Sequence, residues 1–293
     1  MIKLDRLTRT FKNGKGIFDV SFEVGRGEVF GFIGPNGAGK STTIRHLMGF
    51  ARADRGQAIV NGMDAWKDAP EIKRYVGYLP GEIAFLERMS GLEFLQLLGD
   101  MRGMKSTKKR ETLIQRFEFD PGTPIVKMSK GMKQKVGLVA AFMHDPYIVV
   151  LDEPTSGLDP LMQQRFIELI LEEKQAGKTI FMSSHIFTEM EKTCDRAAMI
   201  KDGRIILEES IEAIRARRKQ KLFVTLADEE EARRFVGHPL VASVNGRVAE
   251  FHIQDNWNEI IRLLSTVRVV KLQEIEQDLE DLFLNYYAKE GSQ

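Results

Sequence analysis

The chain has 293 residues, which suffices for one large domain or for a large and a small domain with a proper core. Its 43 Lys and Arg residues nearly balance its 42 Asp and Glu residues, so the net charge is +1 and no nucleic-acid partner is expected. Cys194 is the only cysteine, which excludes an internal disulfide and a zinc site built from cysteines. The N-terminus carries no signal-peptide core and the apolar runs are much shorter than the ~20 residues of a membrane span. We therefore expect a protein that is soluble, or attached to a membrane through a partner.

Two stretches of alternating apolar and polar residues open the chain, 2–9 and 17–24, and the Asn13-Gly14 pair between them predicts a hairpin. Phe11 lies just before this turn. Its ring is a candidate to stack on an adenine base, and a position in the core or the turn is an equally good alternative.

Residues 34–42, GPNGAGKST, match the phosphate-loop pattern G-x-x-x-x-G-K-[ST]. A buried strand is predicted over 28–33 and a helix from Thr42, which is the context that such a loop requires. Backbone N–H groups of a glycine-rich turn can face phosphate oxygens at the positive end of a helix. Lys40 is predicted to reach the β- and γ-phosphates, and the Ser41 hydroxyl to bind Mg²⁺. The alternative is a glycine turn that only joins strand to helix. The predicted nucleotide-binding residues of the loop are Gly34, Pro35, Asn36, Gly37, Ala38, Gly39, Lys40, Ser41 and Thr42.

Short strands are predicted at 56–62 and 75–79, and a helical region follows over about 82–140. Ser90 and Glu93 form a capping box that opens a helix through about Met101. The helix is predicted to bury an apolar face made of Leu92, Leu95, Leu97 and Leu98. A strongly charged helix is predicted over 105–119, and Ser129 is well placed to cap the helix after it.

The apolar run 147–151 ends in two carboxylates, Asp152 and Glu153. Because a buried strand that delivers two carboxylates at its tip needs a cation there, the pattern beside a phosphate loop predicts Mg²⁺. Asp152 is the candidate to orient the ion, directly or through water. Glu153 is then available to orient or deprotonate the water that attacks the γ-phosphate, with a surface cap as the alternative.

A helix is predicted over 161–175, then a strand over 178–183 that ends at Ser184-His185, where the His185 ring could contact the γ-phosphate. A hairpin with an Asp202-Gly203 turn and a basic linker helix over 211–219 come next. The remainder predicts a small α+β domain. Its expected strands are 221–227, 241–244, 248–253 and 267–275, and its expected helices are 229–236, 257–265 and 277–287.

These motifs together resemble one family over roughly residues 1–208: the ATP-binding subunits of ABC transporters. The phosphate loop resembles Walker A, residues 149–153 resemble Walker B with its catalytic Glu153, and residues 156–159 resemble the D-loop, which ends at Asp159. His185 is similar to the switch histidine of the family, and Phe11 falls where the adenine-stacking aromatic residue belongs.

The signature motif, usually LSGGQ in this family, is expected in the segment 128–134, MSKGMKQ. Ser129 and Gly131 keep the family residues, whereas Lys130 and Met132 differ. The Q-loop differs further, because Gly81-Glu82 stands where a glutamine is usual, and Glu82 is our candidate to replace its contacts to Mg²⁺ and water. Both departures resemble the ATPases of bacterial antibiotic, peptide and lipid exporters, as does Leu279-Glu-Asp-Leu-Phe283 near the C-terminus.

The resemblance implies an α/β P-loop NTPase cassette, 1–208, with a mixed sheet core and the helical subdomain, then a linker helix, 209–220, and an accessory α+β domain, 221–293. It implies ATP and Mg²⁺ as cofactors, and Lys40, Glu153 and His185 as catalytic residues. It also implies a head-to-tail homodimer in which ATP on one copy meets Ser129 and Gly131 of the other, with Asp159 nearby in the D-loop. Separate transmembrane permease subunits would hold this exporter ATPase at the cytoplasmic face of the cell membrane.

Three alternatives compete with this interpretation. A soluble ABC ATPase that acts on ribosomes or DNA usually has two cassettes in one chain or a long inserted coiled coil, and the sequence contains neither. A GTP-dependent switch would need an Asn-Lys-x-Asp sequence, which is absent. A module that binds nucleotide without hydrolysis is disfavoured by Glu153.

Overall fold

The computed structural model describes residues 1–86, 88–216, 220–253 and 256–276. The chain divides into two units, one from Met1 to Ile211 and one that begins at Glu212. The strands of the first unit are β1 (Ile2–Thr10), β2 (Gly16–Val24), β3 (Val29–Ile33), β4 (Arg55–Val60), β5 (Met63–Asp64), β6 (Val76–Leu79), β7 (Ile148–Asp152), β8 (Thr179–Ser184), β9 (Arg196–Lys201) and β10 (Arg204–Ser210). Its helices are α1 (Lys40–Leu47), α2 (Ala69–Tyr75), α3 (Gly91–Met101), α4 (Lys108–Phe117), α5 (Lys130–Phe142), α6 (Pro160–Gln175) and α7 (Phe187–Thr193), and α8 (Ile211–Ala216) follows.

A mixed sheet with the order β10-β9-β3-β8-β7-β6 forms the centre of the first unit. All neighbouring strands in it are parallel except the β9–β10 hairpin. Every residue of β3, β7 and β8 is buried, which explains why these segments are almost continuously apolar. Because the three strands are parallel, their carboxyl ends bring the phosphate loop, Asp152 and Ser184 to the same edge of the sheet.

A second, antiparallel sheet with the order β2-β1-β4-β5 shares its hydrophobic core with the central sheet. Phe22 of β2 connects them, because its ring stacks on Phe30 of β3 at 5.2 Å and on Phe181 of β8 at 5.5 Å between centroids. Burial of each such ring stabilises the fold by about 1.5–3 kcal/mol.

Helices α3, α4 and α5 form the helical region between β6 and β7. The capping box is confirmed: Ser90 Oγ accepts from Glu93 N at 3.2 Å, and a Glu93 carboxylate oxygen accepts from Ser90 N at 2.7 Å. The predicted apolar face of α3 was wrong at Leu92, which is 41% exposed, whereas Leu95 is fully buried. The buried positions of α3 are Gly91, Leu95 and Gly99, so they repeat every four residues and leave Leu92 beside the stripe.

Several element boundaries differ from the sequence prediction. The charged helix α4 starts at Lys108 instead of 105, and β10 includes Glu209 and Ser210, which the sequence predicts in the linker helix. Pairing of these two residues with Ala197 and Arg196 explains the longer strand. The short elements β5, α2 and α7 were not predicted.

The second unit contains β11 (Gln220–Leu226), α9 (Glu229–Arg233), β12 (Val241–Asn245), β13 (Val248–Ile253), α10 (Trp257–Leu264) and β14 (Val269–Glu276). Its antiparallel sheet has the order β12-β13-β11-β14, and its own apolar core includes Leu222, Val224, Phe251 and Ile260. Helix α9 ends at Arg233, three residues before its predicted end at 236. Residues 217–219 of the expected linker, the helix expected over 277–287 and Leu279–Phe283 lie outside the described residues.

Candidate functional site

The phosphate loop lies between β3 and α1 and is held from two sides. Gly34 N donates to Ser184 O of β8 at 3.4 Å, and Gly203 N in the β9–β10 turn donates to Ala38 O at 2.9 Å. Gly39 caps α1 with φ 113°, a left-handed conformation that favours glycine. Between these anchors the loop is exposed at Pro35, Asn36 and Gly37, so ligands have access to it.

Lys40 is buried, and its ammonium group turns back into the phosphate loop. Nζ donates to Gly34 O at 2.6 Å and to Pro35 O at 3.3 Å, and it lies 3.1 Å from Glu153 Oε1. A buried ammonium needs such partners. They fix a positive charge directly beside the loop that is predicted to bind phosphate.

Glu153 follows β7 with φ 50°, a left-handed backbone conformation that is unusual for a residue other than glycine. Its N–H points to Ser183, with the carbonyl oxygen at 3.1 Å and Oγ at 3.2 Å. On the carboxylate, Oε2 lies 2.7 Å from His185 Nδ1, and buried Oε1 has no hydrogen-bond donor among the described residues besides its ion pair with Lys40. Glu153 therefore contacts both of the other predicted catalytic side chains, Lys40 and His185.

Asp152 is buried at the end of β7, where Ser183 Oγ donates to its carboxylate. Ser41, in the first turn of α1, is exposed. Mg²⁺ binds oxygen ligands and usually combines one or two carboxylates with phosphate oxygens and water. No cluster of three or more His, Cys, Asp or Glu side chains suited to a metal exists in the described part of the chain. The oxygen atoms of Ser41 and Asp152 are of the type that Mg²⁺ prefers, so this donor set suits an ion that shares its coordination with phosphate, and the assignment of both residues to Mg²⁺ stays a prediction.

Glu82 and Phe11 make no hydrogen bond or ion pair with these residues in the described part of the chain. Glu82 is exposed and lines a groove beside the helical region, whereas its neighbour Gly81 abuts the Asp152 carboxylate. Phe11 is 43% exposed in the β1–β2 turn, and Arg9 places its guanidinium 5.9 Å from the ring centroid. The assignments of Glu82 to metal and of Phe11 to adenine stay predictions.

The residues assigned to the nucleotide of a partner copy lie at the N-terminal ends of two helices. Ser129 is exposed and caps α5, with Oγ accepting from Met132 N at 3.2 Å. Asp159 caps α6, with Oδ1 accepting from Met162 N at 3.0 Å. Gly131 packs against the D-loop of its own chain, since a Cβ there would lie 2.6 Å from Gly157 O. Exposed helix N-termini favour anionic ligands.

Two buried polar residues beside the site were missed by the sequence analysis. Gln134 of α5 donates through Nε2 to Glu153 O at 3.2 Å and Pro154 O at 2.8 Å. A single polar residue on the otherwise apolar buried face of a helix was the available signal.

The second missed residue is Glu189 of α7, which accepts from Thr155 Oγ1 at 2.5 Å and from Ser184 Oγ at 3.2 Å. Burial raises the pKa of this carboxyl, and the two hydrogen bonds oppose the shift. Because α7 is short, its sequence gave no periodic signal.

A family model described as ABC transporter matches residues 17–156, which include the phosphate loop and Glu153. The uncharacterized ABC transporter ATP-binding protein all4389 of Nostoc sp. strain PCC 7120 is 33% identical over 283 residues, which cover 93% of this chain and 83% of the relative. The chain belongs to the family of ABC transporter ATP-binding proteins. This ABC ATPase is also similar to the bacitracin transport ATP-binding protein BcrA of Bacillus licheniformis, with 29% identity over 97% of this chain and 96% of BcrA.

The solved dimer of the ATP-binding cassette MJ0796 in a post-hydrolysis state, bound to ADP and Pi, has the same fold. The TM-score is 0.64 at 22% identity, over 72% of this chain and 99% of the cassette. The expected α/β ABC cassette is thereby confirmed, and the chain is an ATP-hydrolysing, ATP-binding subunit of an ABC transporter. In the described part of this ABC ATPase, no helix combines the length and apolar character that crossing a membrane requires.

Proposed function

We propose that this ABC ATPase drives export of a peptide, antibiotic or lipid-like substrate through separate transmembrane permease subunits. ATP binding joins two copies head to tail, and hydrolysis separates them. The observation that carries the hydrolytic part is the convergence of Lys40, Glu153 and His185 at the open edge of the phosphate loop.

The roles of the three residues follow from their contacts. The loop amides and Lys40 hold the phosphates of ATP, and phosphate oxygens compete with Glu153 for the ammonium group. Oε1 of Glu153 is then free to accept a proton from the attacking water. His185 holds Oε2 and thereby orients the carboxylate. Ser41 and Asp152 would hold Mg²⁺, which neutralises charge on the phosphate oxygens when bound.

Dimerisation is supported by the position of the signature residues. One chain has a single phosphate loop and a single signature segment. Ser129 is exposed at the start of α5, where its Oγ accepts from Met132 N. The related MJ0796 cassette is described as a dimer with ADP and Pi. A sandwich of two nucleotides between two copies satisfies both observations.

The permease is proposed to dock in an apolar groove of about 470 Å³ between the phosphate-binding core and the helical region. Phe50 in this groove is 53% exposed, and Lys73 Nζ lies 4.2 Å from the centroid of its ring. Exposed apolar grooves of this kind accept an amphipathic helix from a partner. The groove is lined by Met48, Phe50, Lys73, Val76, Tyr78, Pro80, Glu82, Ile83, Ala84, Phe94, Leu98, Arg102, Gly137 and Ala140. Docking there places the subunit at the cytoplasmic face of the membrane.

Export of an antibiotic, peptide or lipid-like substrate is supported by the name of BcrA, which assigns bacitracin transport to that relative. The departures at Lys130 and Met132 and the presence of a second unit point to the same subgroup. The described residues from Glu212 onwards are accordingly proposed to belong to an accessory domain that follows the cassette in the sequence, and the cassette ends near Ile211.

Affinity purification of the tagged chain from detergent-solubilised membranes tests the proposal. We expect a hydrophobic membrane protein to be recovered, and ATPase activity of that complex to rise with a candidate peptide or antibiotic. Phe50→Glu should lose the permease, whereas Trp66→Glu, at a residue that is 48% exposed outside the groove, should retain it. Recovery of ribosomes or DNA without a membrane protein would instead support a non-transport ABC ATPase.

A further inference from the structure

The Gln134 side chain is 5% exposed and connects α5 to the main chain just after β7. Its amide nitrogen donates to the carbonyl oxygens of Glu153 and Pro154 at 3.2 and 2.8 Å. Within the turn, Glu153 O also accepts from Ser156 N at 3.2 Å. Gln134 thus connects the carbonyl side of this turn to α5, while Thr155 connects the turn to Glu189 of α7.

The backbone that Gln134 holds is strained. Glu153 has φ 50°, and such conformations of residues other than glycine persist only where the surroundings fix them from several sides. Ser183 of β8 holds the N–H group of Glu153, and Gln134 holds its carbonyl group. The position of the catalytic carboxylate therefore depends on α5 as well as on the central sheet.

The first turn of α5 contacts the other end of the same turn. Gly131 packs on Gly157 O. The aliphatic part of the Lys130 side chain covers Gly157, because a Cβ atom added to Gly157 would lie 3.2 Å from Lys130 Cδ. Residues 153–157 are consequently held between Lys130 and Gln134 of a single helix. Ser129, which caps that helix, is the residue proposed to meet the nucleotide of the partner copy.

We propose that Gln134 is a positioning residue that couples the signature end of α5 to Glu153 of the same chain. When α5 is seated against the nucleotide held by the partner copy, Gln134 draws the Glu153 peptide into its catalytic position. Each bound ATP thus reports to the opposite hydrolytic site. This coupling rests on the proposed nucleotide-sandwich dimer.

The test compares Gln134→Met with the matched control Gln163→Met, using the full chain. Both substitutions replace an amide by a side chain of similar size. Gln163 donates to Leu158 O at 3.3 Å, so it contacts the residue that follows this segment, and it does so from α6 and not from the signature helix. ATP turnover is measured for each single variant. ATP-dependent dimerisation is measured by light scattering on double variants that also carry Glu153→Gln, which slows hydrolysis.

We expect Gln134→Met to lower kcat about 10- to 100-fold, as misplacement of a catalytic group does, while the chain stays folded at the assay temperature and its ATP-dependent dimerisation stays near that of the control. Gln163→Met should keep kcat within about twofold of the parent chain. Gln134→Glu provides a second variant of the same shape, in which an ionised carboxylate has no N–H donor and repels the two carbonyl oxygens, so kcat should fall with it as well.

Mixed dimers in which one chain carries Glu153→Gln have a single hydrolytic site. They distinguish an effect of Gln134 on Glu153 of its own chain from an effect on the contact between Ser129 and the nucleotide of the partner copy. Gln134→Met should reduce turnover when it lies on the chain that keeps Glu153, and leave turnover unchanged on the other chain. The coupling alone would be overturned if Gln134→Met lowered turnover when placed on the Glu153→Gln chain. Equal kcat values for Gln134→Met and Gln163→Met would overturn it as well. Failure of the Glu153→Gln chain to dimerise with ATP would overturn the sandwich, and the coupling with it.

Discussion

Lys40 and Glu153 form an ion pair, with 3.1 Å between Nζ and Oε1, although one residue starts α1 and the other follows β7. The pair joins the cation that is proposed to hold phosphate to the carboxylate that is proposed to activate water. Because a phosphate group competes for the ammonium ion, ATP binding releases the carboxylate oxygen that hydrolysis needs. Binding and readiness for chemistry are therefore connected through one contact.

The first prediction concerns Glu153→Gln. The amide keeps the shape of the side chain but cannot accept the proton, so turnover should fall about 10²- to 10⁴-fold while ATP binding persists. Phosphate release and binding of a fluorescent ATP analogue measure the two properties. Glu212→Gln, at an exposed carboxylate of α8, is the control and should behave like the parent chain. Unchanged turnover of Glu153→Gln would remove Glu153 from the mechanism.

The second prediction concerns His185→Ala. Glu153 Oε2 loses the ring that lies 2.7 Å away, so the carboxylate is no longer oriented and kcat should fall about 100-fold, with little change in the KM for ATP. Steady-state kinetics separate the two constants. His238→Ala, in the second unit, is the control. If His185→Ala raised KM and left kcat unchanged, the ring would serve only to bind ATP.

The third prediction concerns magnesium. Chelation with EDTA should stop turnover, and Asp152→Asn should raise the Mg²⁺ concentration for half-maximal turnover about 10- to 100-fold, because a carboxylate near the ion is lost. A magnesium titration of ATPase activity measures this shift. The same titration of Glu82→Gln tests the predicted metal contact of Glu82: an unchanged midpoint would exclude that contact.

The fourth prediction concerns stability at acid pH. Burial lowers the pKa of His144 to about 4 from its usual 6.5, so the folded state favours the neutral ring. The corresponding stability is fully present above pH 6.5 and is lost as the pH falls towards 4, because the unfolded chain binds the proton first. The loss should be about 3 kcal/mol.

Urea unfolding between pH 7 and 4.5 measures this effect, and Trp257→Phe leaves Trp66 as the only fluorescent tryptophan, in the unit that contains His144. The difference in unfolding free energy between this chain and its His144→Gln variant should shrink as the pH falls. The neighbouring Asp145 titrates lower, since Lys109 and Lys178 hold the pKa of its carboxyl at about 2. A constant difference between pH 7 and 4.5 would contradict the assignment to His144.

The sequence predicted those parts of the fold that local patterns determine. The phosphate loop is specified by local backbone conformation, such as the left-handed φ of 113° that requires glycine at position 39. The buried central strands are specified by continuous apolar runs. Leu92 was placed wrongly because burial on α3 depends on which side faces α5, and this is decided by packing. Helix α7 was missed because a helix this short shows only two buried apolar residues, Phe187 and Met190.

The site was predicted as a set of residues but not as a set of contacts. Walker-type motifs identified Lys40 and Glu153, yet their ion pair depends on the order β3-β8-β7 in the sheet, which no motif states. Gln134 was missed for another reason. Its hydrogen-bond partners are main-chain carbonyl groups, which every residue type has. The sequence therefore contains no particular side chain that would identify the partner of Gln134.

The stack of Phe22 on Phe30 and Phe181 has a consequence for how the protein is made. The amino-terminal hairpin leaves the translation machinery early, but one of the rings that cover Phe22 belongs to β8, far along the chain. At ordinary elongation rates the hairpin waits on the order of ten seconds or more for that partner. The nascent chain must therefore keep an aromatic surface shielded until most of the first unit has been synthesised.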